Sequence, residues 1–208
     1  MRAPELHADA RGYLLMARES DMDRRTVLRS ALLLVASTPA IAEDEKARPV
    51  DPAPLENELS KYPRCSQCNM DRRTFHRTRH LIHYLDGTAE GSCSIRCVAV
   101  SLMQRVEMGA AAIYAADFGS VAEPRPMIDA DQATYIIGGD FPPLMSKRPK
   151  TAFASREAAE AGQVAKGGEL ADFDQALKAA LADMVDEMKT RRRLRAEREE
   201  RKRRAAAG

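Results

Sequence analysis

Two spacings of apolar residues alternate along the chain, and the switches between them mark its elements. From Phe75 to Leu85, β-branched, aromatic and aliphatic residues cluster and stop at Asp86-Gly87, a pair that favours tight reversal. This predicts a hairpin whose return strand runs from Thr88 to Cys93. A loop of Asp86-Gly87 alone sets Leu85 opposite Thr88 and, five places back, His80 opposite Cys93. The period then becomes helical. Ser94 can cap a helix running to about Arg105, with Ile95, Val98, Leu102 and Val106 as its inward stripe. Ala112 to Phe118 reads as a strand, and Asp129 to Ile137 as a short helix or helical turn followed by a strand. Pro142-Pro143 opens a loop carrying Leu144-Met145, and Thr151 to Ala154 reads as a further strand. Ser155 caps a helix of about ten residues that Gly167-Gly168 breaks. Asp174 to Arg204 is one long helix, apolar at Ala176, Leu177, Ala180, Leu181, Met184 and Met188. Strand–helix–strand order in each half gives an α+β class.

The flanks read differently. Asp23-Arg24-Arg25 precedes the apolar run Ala31 to Ala36 and a small-residue site, Ala40-Ile41-Ala42. That order is a charged segment, a hydrophobic segment and a cleavage signal, and the arginine pair is similar to a twin-arginine signal. Residues 1–42 are therefore expected to be an export signal directing the chain to the periplasm, with Met16 or Met22 as alternative starts and Glu43 as the mature N-terminus. No cysteine near the cut offers a lipid acceptor. Residues 43–63, with Pro49, Pro52, Pro54 and Pro63, read as an irregular linker. The folded domain is expected over 64–188 and a charged tail over 189–208.

Composition narrows the function classes. The chain has 208 residues, 5 Tyr, 5 Phe and no Trp, and no stretch approaches a membrane span of about 20 apolar residues. Its net charge of +2 is unevenly placed: 43–188 holds 17 Lys/Arg against 23 Asp/Glu, whereas 189–204 holds 10 against 3. The acidic core argues against nucleic acid as a partner. The basic end is either a solvated helix end or a contact for anionic lipid or a partner, and it is the one place where membrane contact is expected.

All four cysteines lie between 65 and 97, as Cys65-x2-Cys68 and Cys93-x3-Cys97. A C-x2-C turn sets two thiolates on one side of the backbone, and Cys97 falls in the first turn of a helix, whose dipole favours a thiolate. Three readings fit: a soft-metal site for Cu(I), a structural four-cysteine zinc site, or disulfides in an oxidising compartment. Met70, two places after Cys68, favours Cu(I), because zinc gains nothing from a thioether. Met145, in a Pro-rich loop, is a further candidate. His76 and His80 share a strand face but lie about 13 Å apart, too far for one metal, which leaves His80 opposite Cys93 as the one histidine placed to ligate. No nucleophile–base pair or phosphate-cradling loop is evident, so the sequence reads as a binding protein and not an enzyme.

Cys65-Ser66-Gln67-Cys68-Asn69-Met70 resembles the C-x-x-C-G-M hallmark of the nitrous oxide reductase accessory protein family, NosL, with Asn69 in place of the Gly. Cys93-Ser94-Ile95-Arg96-Cys97 is similar to the C-S-x-x-C element of one subgroup. The likeness continues through Met127-Ile128-Asp129-Ala130, Tyr135-Ile136-Ile137-Gly138-Gly139, Met145-Ser146-Lys147-Arg148, Phe153, Gly167-Gly168 and Phe173-Asp174, and so spans roughly 60–188. The resemblance implies two ββαβ units followed here by a long C-terminal helix. It also implies a periplasmic copper carrier supplying Cu(I) for nitrous oxide reductase maturation, with that enzyme or its maturation machinery as partner. Cys65, Cys68 and Met70 match the first motif and Met145 the later methionine. Cys93 and Cys97 are expected to complete a thiolate site or to brace the fold.

Overall fold

The computed structural model describes residues 49–207; the export signal expected over 1–42 lies outside the described residues. The element order is α1 (Glu58–Lys61), β1 (His80–Tyr84), β2 (Ala89–Ser92), α2 (Ile95–Gln104), β3 (Ala110–Ala116), β4 (Met127–Asp129), β5 (Thr134–Ile137), β6 (Lys150–Phe153), α3 (Arg156–Lys166), β7 (Glu169–Ala171) and α4 (Phe173–Ala207). A four-stranded antiparallel sheet runs β2-β1-β3-β4, and a three-stranded one runs β6-β5-β7. The first strand of each unit is flanked by its hairpin partner and by the strand that follows the helix. Two ββαβ units with the same connectivity, β1-β2-α2-β3 and β5-β6-α3-β7, thus stand in tandem, followed by a long helix.

One shared core joins the two units. Ile82, Tyr84 and Ala115 of the first sheet meet Tyr135 and Ala152 of the second, together with Ile95 and Val98 of α2 and Phe173, Ala176 and Ala180 of α4. Small residues on α4 let it approach α2 closely. A second cluster (Phe141, Phe153, Ile136 and Ala159) packs α3 on its own sheet. Among the described residues no helix is long and apolar enough to cross a membrane.

The hairpin closes differently from the sequence expectation. The pairs are His80↔Ser92, Leu81↔Gly91, Ile82↔Glu90 and His83↔Ala89, one residue away from the expected register. Its loop is the three residues Leu85-Asp86-Gly87. Thr88 N donates to Asp86 Oδ1 at 2.9 Å, and Gly87, at φ 79°, supplies the left-handed turn such a loop requires. His80 therefore faces Ser92, not Cys93.

Other differences are local. The apolar stretch from Phe75 yields a strand only from His80, because residues 72–77 turn. Met127–Asp129 and Glu169–Ala171 are strands that the sequence pattern leaves unassigned, whereas residues 130–132 turn and lead into the strand Thr134–Ile137, as expected. Val106 lies in a 3-10 turn and is exposed instead of completing the α2 stripe. Residues 49–63, expected to be irregular, contain α1 and are attached to the domain. Val50 bridges Thr88, and Glu58 is buried between Arg72 and Arg79. Ser155 caps α3 as expected, accepting from Ala158 N.

Candidate metal centre

The segment Cys65 to Met70 closes on itself. Cys65 N donates to Met70 O and Asn69 N to Cys65 O, each at 2.9 Å. Closure needs a left-handed residue, and Asn69 supplies it at φ 60°, a region its short polar side chain tolerates. Ser66 N donates to Gly91 O at 2.9 Å and so docks the turn on β2. The end of β2 then delivers Cys93, and the first turn of α2 delivers Cys97.

The four Sγ atoms all lie within 4.8 Å of one another. Cys93 is 3.4 Å from Cys68 and 3.7 Å from Cys97, and Cys97 is 3.8 Å from Cys68. All four are free thiols, well beyond the bond length of about 2.05 Å for a disulfide. Met70 Sδ lies 3.9 Å from Cys93 Sγ. Leu144 and Met145 pack against the cluster from the loop before β6. Cys65, Cys93 and Cys97 are buried, whereas Cys68, Met70 and Met145 are half-buried and form its mouth. All six sulfur residues singled out in the sequence are therefore gathered at one place.

The thiols are unequal. Cys93 and Cys97 hydrogen-bond to the Cys65 sulfur and hold it far below the ordinary thiol range. Cys93 is pushed far up by its hydrogen bond to Cys65 and by burial, and Cys97 is pushed up, first by Cys65. The cluster thus favours ionisation at Cys65 over Cys93 and Cys97. A soft cation bound here replaces those S–H protons and releases them, since the metal takes thiolates.

Behind the cluster sits Arg72, fully buried, which no sequence signal had marked. Its guanidinium donates to Tyr62 O, to Ser92 O at 3.2 Å and to His80 O at 2.9 Å, and it pairs with Glu58 at 2.8 Å. The Cys65 sulfur in turn favours the charged guanidinium, against its burial. A Cβ on Gly91 would stand 2.5 Å from this guanidinium, which is why β2 has a glycine there. The Met145 loop is held from the other side by Asp183 of α4, also unmarked in the sequence. Ser146 Oγ and Arg148 donate to it at 2.8 Å, and Lys150 pairs with it. These donors outweigh burial and hold its carboxyl below the usual range. Met145 itself sits at φ 58°, an unusual conformation for a non-glycine residue.

The histidines stand apart. His80 is enclosed, with Nδ1 2.9 Å from Thr78 O and Nε2 3.3 Å from the Tyr135 hydroxyl. With Nδ1 donating and Nε2 accepting, both ring nitrogens are engaged, so the ligand role the expected register gave His80 does not arise. His76 accepts from Arg125 N, near Glu123.

One family model, NosL, matches residues 56–181. Comparison with curated proteins finds no match. Among solved structures, the crystal structure of the copper chaperone NosL from Shewanella denitrificans is 20% identical. It covers 62% of this chain and 93% of that one, at a TM-score of 0.44. The solution structure of apo-NosL from Achromobacter cycloclastes is 23% identical, covering 46% of this chain and 82% of that one at a TM-score of 0.33.

Proposed function

The chain belongs to the NosL family, and from that premise we propose that it carries Cu(I) as cargo in the periplasm, supplying copper for nitrous oxide reductase maturation. Cys68 and Met70 form the accessible part of the proposed site. Cys65, Cys93 and Cys97 are the thiols behind them, and Met145 closes it from the facing loop. The observation that carries this reading is the thioether of Met70, 3.9 Å from Cys93 Sγ at the mouth of a four-thiol pocket. Thioether added to thiolate suits a soft monovalent ion. A carrier must bind tightly yet hand over quickly. With Cys68 and Met70 half-buried, an incoming sulfur or imidazole can bond to the ion before the buried thiolates let go. The ion then passes between proteins without being released into water.

A structural zinc site is the second reading, and the sulfur spacing favours it. Four thiolates about 2.3 Å from a central zinc form a tetrahedron with edges of roughly 3.8 Å, close to the 3.4, 3.7 and 3.8 Å seen here. The thioether separates the two. Anaerobic competition of the reduced protein against a Cu(I) chelator is expected to give an affinity that Met70→Leu lowers about tenfold and Cys68→Ser more, with the apo fold unchanged. If Met70→Leu is silent for Cu(I) while any single cysteine change unfolds a zinc-loaded domain, zinc is the resident ion and the carrier reading fails.

A further inference from the structure

The helix α4 runs on well past the domain. Its domain-facing row of Ala176, Ala180, Asp183 and Glu187 recurs at spacings of three and four residues, as expected for one face of a helix. The same row continues as Arg191, Leu194, Arg198, Arg201 and Ala205, all exposed. The face that touches the domain thus becomes a basic face once the domain ends. The acidic residues of the extension are neutralised by other side chains: Arg193 pairs with Glu197, Lys202 with Glu199 and Arg204 with Glu200. Arg191, Arg198 and Arg201 are in none of these pairs.

This row begins beside the sulfur cluster. A groove of about 740 Å³ is bounded on one side by Met145 and Arg148, on another by Arg96, which directly precedes Cys97 in α2, and on the third by Glu187 and Arg191. Arg96 reaches across to Glu187 at 3.1 Å. A body seated in the groove touches the mouth of the sulfur site and, further out, lies along the basic face. From Glu187 to Arg201 a helix rises about 21 Å, the width of a small domain face.

We propose that the helix beyond Met188 is a docking arm for an acidic protein surface, that of the partner with which this chain exchanges its metal. The proposal rests on the carrier reading for the partner's role but not for the arm's chemistry. Three observations select a protein carboxylate surface. Eight of the ten basic residues over 189–204 are arginine, whose planar fork grips a carboxylate or a phosphate with two parallel bonds, so the ligand is an oxyanion surface. The row has one large apolar residue, Leu194, so it lacks the apolar face by which helices lie in a membrane interface. A second copy of the same basic row is repelled. Partner binding through such an arm is steered by charge and weakened by salt.

The test uses the full mature chain and two double variants. Arg198→Gln/Arg201→Gln removes charge from the row. Arg192→Gln/Arg203→Gln removes the same charge from the opposite face. Gln supports a helix nearly as well as Arg, so both keep α4. The probes are a fluorescent oligoglutamate peptide and vesicles of phosphatidylglycerol and phosphatidylcholine. Peptide affinity is expected to fall about tenfold in the first variant and less than about threefold in the second, with Cu(I) affinity unchanged in both. Equal losses in the two variants overturn the assignment to this row. Binding to vesicles but not to the peptide overturns it in favour of lipid. If the wild-type chain binds the peptide row-specifically but holds no Cu(I), the arm stands and the carrier reading falls.

Discussion

His80 shows how far a single buried side chain can set solution behaviour. Burial lowers its pKa from 6.5 to about 4, so the ring is neutral in the fold. The unfolded chain, with the ring at its ordinary value, binds a proton that the native state refuses between those two values. The contribution to stability is complete above pH 6.5 and is lost as the pH falls through 4, and a gap of this size corresponds to about 3 kcal/mol. Urea midpoints measured from pH 7 to 4.5 are expected to fall steadily, and in His80→Gln the fall should be visibly shallower. Equal slopes would show that His80 is not the group responsible. The contrast with the cysteines is instructive. Their spacing made the sulfur site legible, because a turn motif and a helix start are local features. His80 was misplaced, because its partner across the hairpin depends on whether the loop has two residues or three. Arg72 was invisible, since nothing in Asp71-Arg72-Arg73 distinguishes a buried arginine from an exposed one.

At the scale of elements, the site is assembled from three separate connections: a closed turn docked on β2, the strand-to-helix junction after β2, and a loop pinned to α4. The first two are local and were readable. The third joins Ser146, Arg148 and Lys150 to Asp183, more than thirty residues away. It is this link that sets Met145 against the cysteines, with Met145 in a conformation costing about 1–2 kcal/mol. Asp183→Asn keeps the shape but removes the charge that holds Arg148 and Lys150. The Met145 loop is then expected to loosen. Cu(I) affinity should fall about three- to tenfold, while Cys68 and Met70 remain in place. The Met145 methyl signal in NMR should narrow or shift in the variant. An unchanged Met145 signal together with unchanged affinity would detach α4 from the site. The N-terminal segment teaches the same lesson. Its prolines suggested a linker, but Glu58 between Arg72 and Arg79 ties it to the domain through a pairing that no local pattern announces.

For the whole molecule, the tandem of ββαβ units explains why one half carries the chemistry. Ser94 and Ser155 stand at the same point of each unit, two residues after the second strand and just before the helix. Where the first unit has Cys93 and Cys97, the second has Ala154 and Ala158 at the same offsets from that serine. The second unit therefore serves as scaffold: its sheet completes the core, and the loop leading to β6 contributes Met145. The final element divides by the same logic. Up to Glu187, α4 is part of the fold, with Phe173, Ala176 and Ala180 buried in the shared core. Beyond Met188 it is exposed at every described position, and its ion pairs are between residues three or four apart within the helix itself, which contribute a few tenths of a kcal/mol each. Among the described residues, the ion pair that a chain ending at Met188 loses from the domain is the exposed one of Lys189 with Asp186. Its melting temperature is expected to stay within about 2 °C of the full chain, because so small a change in stability shifts a domain of this size by no more than that. Cu(I) affinity should also be retained, with the helical signal in circular dichroism reduced in proportion to the residues removed. Binding to the acidic peptide should disappear. A drop in melting temperature of more than about 5 °C would mean that the extension holds the domain together, and its basic face would then have a structural explanation instead of a docking one.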